Sequence, residues 1–379
     1  MKNKLFIVLS LFGLIGVSSC QITIQPVYEN TYVVIWQNDN GDILEIDCNL
    51  KEGTIPTYDG NIPTKKENKH YSYEFIGWTP KIEPVIENTQ YTATYKKVEK
   101  GDTIIEDKPT IDESKKMLTY GYYPQTHVND EKLINVLNTL KPSSKNGWYL
   151  YKEKYYAKEV ASTFHEYKYY FDDKTEIING NEYWFEVEPI KWNILSNSNN
   201  EYFLLSNKLL DTHNYYKNYE TRDGDIYPNN YEFSDIRKYL NSDFYNTAFT
   251  FGDSYIKQTL VNNSSLTTDS IENKYSSNNT NDKIFLPSYK DYLNSDYGFD
   301  INSDSISSTR EAKLSDYARA KGAWCNIEND KYTGSYWTRS PSSEFSYSAI
   351  NVNSAGYLSS YAVDGETHAI RPSLKVEVQ

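Results

Sequence analysis

The segment over residues 336–378 constrains the fold of this chain more than any other. Its apolar runs are short, alternate with polar residues and are separated by Gly, Ser or Asn. That pattern is typical of half-buried strands joined by turns. Leu374, Val376 and Val378 fall on one face of an extended chain, with charged residues on the other. Because a strand needs neighbours to satisfy its backbone, we predict that this segment pairs with strands formed much earlier in the sequence.

The first twenty residues carry an export signal. Two lysines precede an apolar run over 5–17, and Ser18, Ser19 and Cys20 follow it. A charged start, an apolar run and a small-residue site make up a secretory signal peptide, and the run is shorter than the roughly 20 residues of a membrane helix. The sequence at 17–20 resembles the lipobox of bacterial lipoproteins. The resemblance implies a signal peptide over 1–20 and a lipid on Cys20. An ordinary secretory signal is the alternative.

A lipid on Cys20 would make the membrane a partner of the chain and place the protein outside the cytoplasm, on the cell surface. The net charge of −13 argues against nucleic acid as a partner, because such surfaces need clustered lysine and arginine. The 37 tyrosines suit either recognition surfaces or a core that is poor in aliphatic residues, and coding bias together with core packing is the simpler interpretation.

Two further cysteines, Cys48 and Cys325, fall in different predicted domains, so we expect two buried thiols and no bridge between them. The sequence has no Cys-x-x-Cys motif and no Cys/His cluster, so we predict neither a metal centre nor a cofactor.

A spacer over 21–30 leads into a strand-rich module over 31–96. Apolar and β-branched runs predict its strands at 32–36, 43–46, 73–78 and 91–95. Its ordered landmarks resemble the internalin B-repeat module of bacterial surface proteins: Val34-x-Trp36, Asn40-Gly41, Pro56-Thr57-Tyr58-Asp59-Gly60, Pro63-Thr64, Phe75-x-Gly77-Trp78 and Tyr91-Thr92-Ala93-Thr94-Tyr95. The resemblance implies a small β-grasp-like fold that acts as a spacer or adhesive unit.

A polar segment over 97–116 is predicted to be a linker, and a second domain follows over 117–379. The predicted elements of this domain are helices at 130–140, 234–240, 288–292 and 313–321 and strands at 184–195, 202–206 and 284–286. Ser234 is placed to cap the second of these helices.

The second domain resembles an uncharacterised bacterial family, a domain of unknown function, over 120–378. The motifs that carry the resemblance are Tyr-Gly-x-Tyr-Pro-Gln, Glu-Pro-Ile-x-Trp-x-Ile-Leu, Ser-x-Ile-Arg-x-Tyr-Leu-Asn, Asp-Tyr-Ala-x-Ala, Tyr-Trp-x-Arg-Ser-Pro and Ile-Arg-Pro-Ser-Leu. The closing motifs are also similar to those of the C-type lectin-like and sulfatase-modifying folds. We therefore expect an α+β protein, with a small β-grasp-like module followed by a larger mixed α+β C-type lectin-like domain.

A run of oxygen-bearing side chains gives a weak calcium motif. Asp300, Asn302, Asp304 and Glu311 fit the spacing of a twelve-residue calcium loop. Ser305 stands where the sharp turn of such a loop needs glycine, and this spacing arises easily in a chain rich in Asp, Asn and Ser. We predict no metal here.

Two arginines near the C-terminal end, Arg339 and Arg371, lie in apolar sequence. A buried guanidinium needs carboxylate or carbonyl partners, so these residues either hold the terminal strands in place or contact a ligand. The aromatic residues nearby are either core or the lining of a groove that stacks on sugar rings. The ligand-binding candidates are Trp337, Arg339, Tyr357, Tyr361, His368 and Arg371, and the turns over 342–348 and 359–365 are where we expect a ligand.

None of the five histidines lies in a nucleophile motif, and Cys325 lacks the second cysteine on which the sulfatase-modifying enzymes depend. We predict no catalytic residues and a non-enzymatic surface protein that binds a carbohydrate or protein ligand. The alternative is an extracytoplasmic enzyme that acts on envelope or host polysaccharide, for which two carboxylates across a cleft would be needed.

Overall fold

A computed structural model describes residues 31–67, 71–99, 108–143, 146–163, 168–222, 224, 226–327 and 331–378. The chain divides into two compact units, Met1–Ile104 and Ile105–Gln379. The predicted signal peptide over 1–20 and the spacer over 21–30 lie outside the described residues. No helix within the described ranges is both long and apolar enough to cross a membrane.

The first unit is a four-stranded sheet. Its strands are β1 (Thr31–Gln37), β2 (Ile43–Lys51), β3 (Tyr71–Thr79) and β4 (Thr89–Glu99). They lie in the order β2-β1-β4-β3, with β1 and β4 parallel and the other neighbours antiparallel. All four predicted strands are therefore confirmed. Trp36 is fully buried and packs against Tyr58, Trp78 and Tyr91, with ring centroids 4.7 to 5.7 Å apart.

The second unit is built from two main sheets. The strands of the larger sheet are β5 (Thr110–Asp112), β6 (Met117–His127), β7 (Tyr149–Tyr151), β8 (Lys154–Val160), β11 (Glu182–Ser198), β12 (Glu201–Ser206), β16 (Ile284–Phe285) and β23 (Ser373–Glu377). Their order is β16-β23-β12-β11-β6-β5, with β8 also paired to β11 and β7 to β8. The end of the segment predicted to be a linker therefore supplies an edge strand, β5.

The smaller sheet contains β13 (Asp211–Thr212), β22 (Ala369–Ile370), β19 (Tyr336–Pro341), β20 (Ser348–Val352) and β21 (Leu358–Ala362), in that order. Three strand pairs stand apart: β9 (Tyr169–Tyr170) with β10 (Glu176–Ile177), β14 (Thr259–Val261) with β15 (Thr280–Asp282), and β17 (Cys325–Asn326) with β18 (Thr333–Gly334).

The helices are short. They are α1 (Glu131–Leu137), α2 (Asp235–Tyr239), α3 (Tyr245–Ala248) and α4 (Asp316–Ala320), with a π-helical turn at Leu240–Phe244 joining α2 to α3. Single 3₁₀ turns occur at Glu113–Lys115, Ser265–Thr267, Asp291–Leu293 and Ser295–Tyr297. Ser234 caps α2 by accepting from the amide of Arg237, which confirms the predicted cap.

The expected α+β fold class is wrong, because strands hold 40% of the residues and helices 12%, so the protein is largely all-β. The predicted helix over 313–321 shows one reason. Its first residues form bridges instead, Lys313 with Thr333 and Leu314 with Leu209, and only Asp316–Ala320 remains helical. A mixed α+β C-type lectin-like domain is not what the second unit forms, and the described part of the first unit contains strands but no helix.

The central strands of the large sheet are buried on both faces. Along β12, Leu204 belongs to one apolar cluster, which also holds Trp192 and Trp337, while its neighbour Leu205 belongs to a second. A strand covered on both faces needs a continuous apolar run, and the sequence of β12 has one. The predicted partners of the terminal segment are confirmed, because β23 lies between β12 and β16 with Leu374 and Val376 fully buried.

The remaining cysteines differ from each other. Cys325 is a free, buried thiol, as expected. The expectation is wrong for Cys48, which is half-buried and disulfide-bonded. Burial raises the pKa of the Cys325 thiol to about 12, so this sulfur stays protonated and is a poor nucleophile.

Candidate functional site

Arg339 holds strand β19 against the loops beside it. Its guanidinium donates to the backbone oxygens of Leu286 (2.9 Å) and Asn262 (3.2 and 3.3 Å) and to the carboxylate of Asp291 (2.9 Å). The residue is buried, and these bonds satisfy the charge inside the protein. Of the two roles considered for this residue, the geometry favours structural support over ligand contact.

Arg371 has a similar environment at the start of the terminal strand. Its guanidinium donates to the backbone oxygen of Ser206 (3.1 Å) and to the hydroxyl of Tyr336 (3.0 Å), and it is buried. The two arginines therefore connect the terminal strands to β12 and to the neighbouring loops, and their charged groups do not face solvent.

Three of the predicted site residues form one aromatic stack. The ring of His368 lies 4.3 Å from that of Trp337 on one side and 4.5 Å from that of Tyr361 on the other. Trp337 is fully buried and donates from its indole nitrogen to the backbone oxygen of His213 (2.9 Å). Tyr361 is half exposed, so the stack runs from the core to the surface and only its outer ring is accessible.

His368 is a neutral member of this stack. Burial lowers the pKa of its imidazole to about 3. Its Nε2 lies 3.0 Å from the side-chain nitrogen of Asn351, which can only donate, so Nε2 accepts and the proton is on Nδ1. The last of the predicted residues, Tyr357, is partly buried in the turn between β20 and β21, where its amide bonds Asn353. Among the residues that the structure describes, the ring of Tyr357 makes no contact with the rings of the stack.

The outer face of the stack continues into a group of exposed rings, which we call the aromatic patch. Its members are 43% to 52% exposed: Tyr219, Phe345, Tyr347 and Tyr361. Tyr347 lies 5.9 Å from Tyr219 and 5.5 Å from Phe345. Val363, two residues beyond Tyr361, donates its amide to the backbone oxygen of Tyr347 (3.0 Å). The two turns in which we expected a ligand therefore meet at this patch.

Tyr219 is the member that the sequence did not reveal. It lies in an irregular loop among several other tyrosines, and no spacing distinguishes it from them. Its hydroxyl donates to Asp364 (2.6 Å), and this bond to a carboxylate, followed by partial burial, raises the pKa of the phenol to about 12. Asp364 places a negative charge at the edge of the patch.

The calcium motif folds around an arginine. The guanidinium of Arg310 donates to the backbone oxygens of Asp300, Asn302 and Ser305 (2.7 to 2.9 Å) and to that of Gly356 (2.7 Å). The side chains of Asp300 and Asn302 accept from backbone amides of the same loop, at 3.0 and 2.9 Å. Arg310 thus occupies carbonyls that a cation would otherwise take.

Asp304 and Glu311 do not join a metal site either. Asp304 accepts from Ser303, and Glu311 pairs with Lys331 at 3.2 Å. Within the described ranges, no group of three or more His, Cys, Asp or Glu residues is arranged to hold a metal ion.

A family model described as a domain of unknown function, DUF6273, matches residues 199–378. The match covers the aromatic patch and agrees with the resemblance to an uncharacterised domain from residue 199 onward. No curated protein and no solved structure matches the chain.

Proposed function

We propose that this chain is an extracytoplasmic surface protein that is anchored by a lipid on Cys20 and binds a ligand without transforming it. The aromatic patch is the observation that carries the binding part of the proposal. The motifs of the first unit support a role as a spacer of the internalin B-repeat type, and the sequence around Cys20 supports the anchor.

The chemistry of the patch favours a carbohydrate. Four half-exposed rings at one place leave apolar surface in water, which is typical of a recognition site. Tyrosine combines a flat apolar ring, on which a sugar can stack, with a hydroxyl that bonds sugar hydroxyls. Asp364 adds a strong acceptor beside Tyr219. We therefore propose a polysaccharide of the envelope or of a host as the ligand.

The binding proposal is tested by applying the purified full chain to a glycan array. We expect Tyr347→Ala and Tyr361→Ala each to weaken binding of the glycans recognised by the unchanged protein by about tenfold, because each removes a central ring. Phe233→Ala is the control, since Phe233 is 48% exposed but lies outside the patch. Equal losses in all three variants, or none in the patch variants, would contradict the proposal.

The anchor is tested by Cys20→Ala. We expect this variant to leave the membrane fraction, whereas Cys325→Ala stays in it, because only Cys20 follows the lipobox-like sequence. Membrane association that persists without Cys20 would refute the anchor.

An extracytoplasmic enzyme that acts on polysaccharide is the alternative. It predicts that the glycans bound on the array are cleaved, which is measured as the release of new reducing ends over time. Binding without release favours the surface-binding proposal.

A further inference from the structure

A cavity lies in the second unit, separate from the aromatic patch. It has a volume of about 260 Å³, and its walls include Tyr123 of β6, Glu159 of β8, Asp211 of β13, Tyr239 of α2 and Tyr317 of α4. We call it the phenol pocket. Drug-sized ligands occupy pockets from roughly 300 Å³ upward, so this one suits a smaller molecule.

The phenol protons of the pocket are all committed to carboxylates. Tyr123 and Tyr239 donate to the same oxygen of Asp211, at 2.5 and 2.6 Å, and Tyr317 donates to Glu159 at 2.9 Å. A phenol that donates its only proton keeps lone pairs that accept. These three hydroxyls therefore offer a ligand acceptors and no donors.

Three of the donor side chains that line the cavity each have a partner inside the protein. The ammonium group of Lys158 pairs with Glu182 at 2.7 Å, that of Lys321 lies 3.8 Å from Glu159, and the side-chain amide of Asn146 donates to the backbone oxygen of Thr247. The phenols therefore offer acceptors to a ligand, while the two lysines hold their ammonium groups near carboxylates of the protein.

Three carboxylates line the cavity, those of Glu159, Asp211 and Asp243, against two lysines, so the lining carries an excess of one negative charge. Asp211 is 2% exposed, and its second oxygen accepts from the amide of Thr212. Neither Asp211 nor Asp243, which also lines the cavity, has a basic partner in the part of the chain that the structure describes. Burial, and then the charge of Asp211, raises the pKa of Tyr123, Tyr239 and Tyr317, so the phenols stay protonated and the field favours a cation.

Aromatic faces complete this environment. The rings of Tyr123 and Tyr317 stand nearly perpendicular, with centroids 5.8 Å apart, and Trp148 adds a third wall. Aromatic faces attract ammonium groups, and aromatic cages with nearby carboxylates are a common way to bind them. Lys321 already shows this preference at the rim, where its ammonium group lies 5.9 Å from the centre of the Tyr317 ring.

We propose that the phenol pocket binds a small organic cation, which places its ammonium group against the hydroxyls of Tyr123 and Tyr239 above Asp211. This site is independent of the carbohydrate-binding patch, and neither proposal needs the other.

Cyclohexylammonium and its neutral analogue cyclohexanol are suitable probes, with the anion cyclohexanecarboxylate as a third. We expect the full chain to bind the ammonium compound at least about tenfold more tightly than the other two in calorimetric titration. Equal binding of the three, or no binding of the ammonium compound, overturns the proposal. Glucosamine and glucose, used in the same way, show whether the ammonium group can come from an amino sugar.

Asp211→Asn tests the role of the buried charge, because it keeps the shape of the side chain. We expect a loss of affinity for cyclohexylammonium of about tenfold or more. Asp282→Asn is the matched control, since Asp282 is equally buried but pairs with Arg237 and does not line the cavity. Tyr239→Phe, which removes one acceptor, should weaken binding less than Asp211→Asn.

The unfolding temperature of each variant is recorded alongside its affinity. If Asp211→Asn unfolds before it can be titrated, Tyr239→Phe serves as the test. Weaker binding of cyclohexylammonium by Tyr239→Phe would support the proposal, and unchanged binding would overturn it. A folded Asp211→Asn variant with unchanged affinity would show that the aspartate only supports the fold, and this would overturn the proposal.

Discussion

Backbone oxygens are the main partners of two buried arginines in the second unit, Arg310 and Arg339. Arg310 bonds four of them, and Arg339 bonds those of Leu286 and Asn262. Carbonyl dipoles spread the positive charge over several loops, so each guanidinium holds together segments that have no regular structure of their own. The apolar neighbours of Arg339 and Arg371 predicted that these two arginines could be buried, whereas Arg310 was not singled out. The carbonyls that Arg339 meets could not be predicted, because they lie 53 and 77 positions away along the chain.

A pH effect follows from the burial of His368. The imidazole has a pKa of about 3 in the folded protein against an ordinary value of 6.5. Between these values the unfolded chain binds a proton that the folded protein does not, so the free energy of unfolding falls as the pH is lowered through this range. We expect His368 to contribute a loss of about 1 kcal/mol per pH unit between pH 6 and pH 5.

The measurement is urea unfolding of the unchanged protein and of His368→Phe at pH 7, 6 and 5. Phenylalanine keeps a ring between Trp337 and Tyr361 but cannot be protonated. The variant should therefore lose stability less steeply as the pH falls, and parallel curves for the two proteins would contradict the expected role of His368.

At the scale of elements, the strands were easier to predict than the helices. Alternation and apolar runs located β12, β23 and the strands of the first unit, because a strand owes its pattern to the faces that it buries. The helix predicted over 313–321 begins late, at Asp316, because residues distant in sequence form bridges with its first residues, as Thr333 does with Lys313. The overestimate of helix led to the wrong fold class.

Only part of the candidate site could be predicted from the sequence. The turns over 342–348 and 359–365 could be recognised by composition, and the structure joins them through the hydrogen bond from the amide of Val363 to the backbone oxygen of Tyr347. The position of Tyr219 in the patch depends on contacts between distant segments. The same is true of the phenols that bond Asp211, since Tyr123 and Asp211 are 88 positions apart. Neither local composition nor spacing carries that information.

The turn between β20 and β21 depends on one glycine. Gly356 has a φ of +74°, and a Cβ added there would lie 1.9 Å from the backbone oxygen of Ser307, so the neighbouring backbone would have to move. Gly356 also accepts from Arg310 through its backbone oxygen. We expect Gly356→Ala to lower the free energy of unfolding by about 3 kcal/mol or more, as measured by urea unfolding.

Gly298 provides a matched control for this substitution. Its φ of +84° is similar, but nothing lies within 4 Å of an added Cβ. Gly298→Ala should therefore show only the backbone strain of a left-handed residue, about 1 kcal/mol. Equal effects at the two glycines would mean that the contact with Ser307 is unimportant.

At the scale of the whole molecule, each unit has an apolar core of its own. The core of the first unit is small and centres on Trp36, whereas the second unit has two large clusters. A core made of few residues depends strongly on each of them. We expect the two units to unfold in separate transitions in scanning calorimetry.

Trp36→Ala tests this expectation. Truncating a buried tryptophan costs about 3 to 5 kcal/mol, which is comparable to the whole stability of a small module, so the transition of the first unit should disappear or shift far down. The transition of the second unit should stay where it is. Ile62→Ala, at a residue that is 76% exposed, should change neither, and a shift of both transitions by Trp36→Ala would contradict the separation of the cores.

The position of β23 in the large sheet has a consequence for how the protein is made. This strand comes from residues 373–377, yet it lies between β12 and β16, and its partners in β12 are about 170 positions earlier in the chain. The sheet cannot be completed until that late segment has emerged from the ribosome, and contacts of such long range form slowly. This delay leaves the edge of β12 exposed to aggregation until β23 arrives.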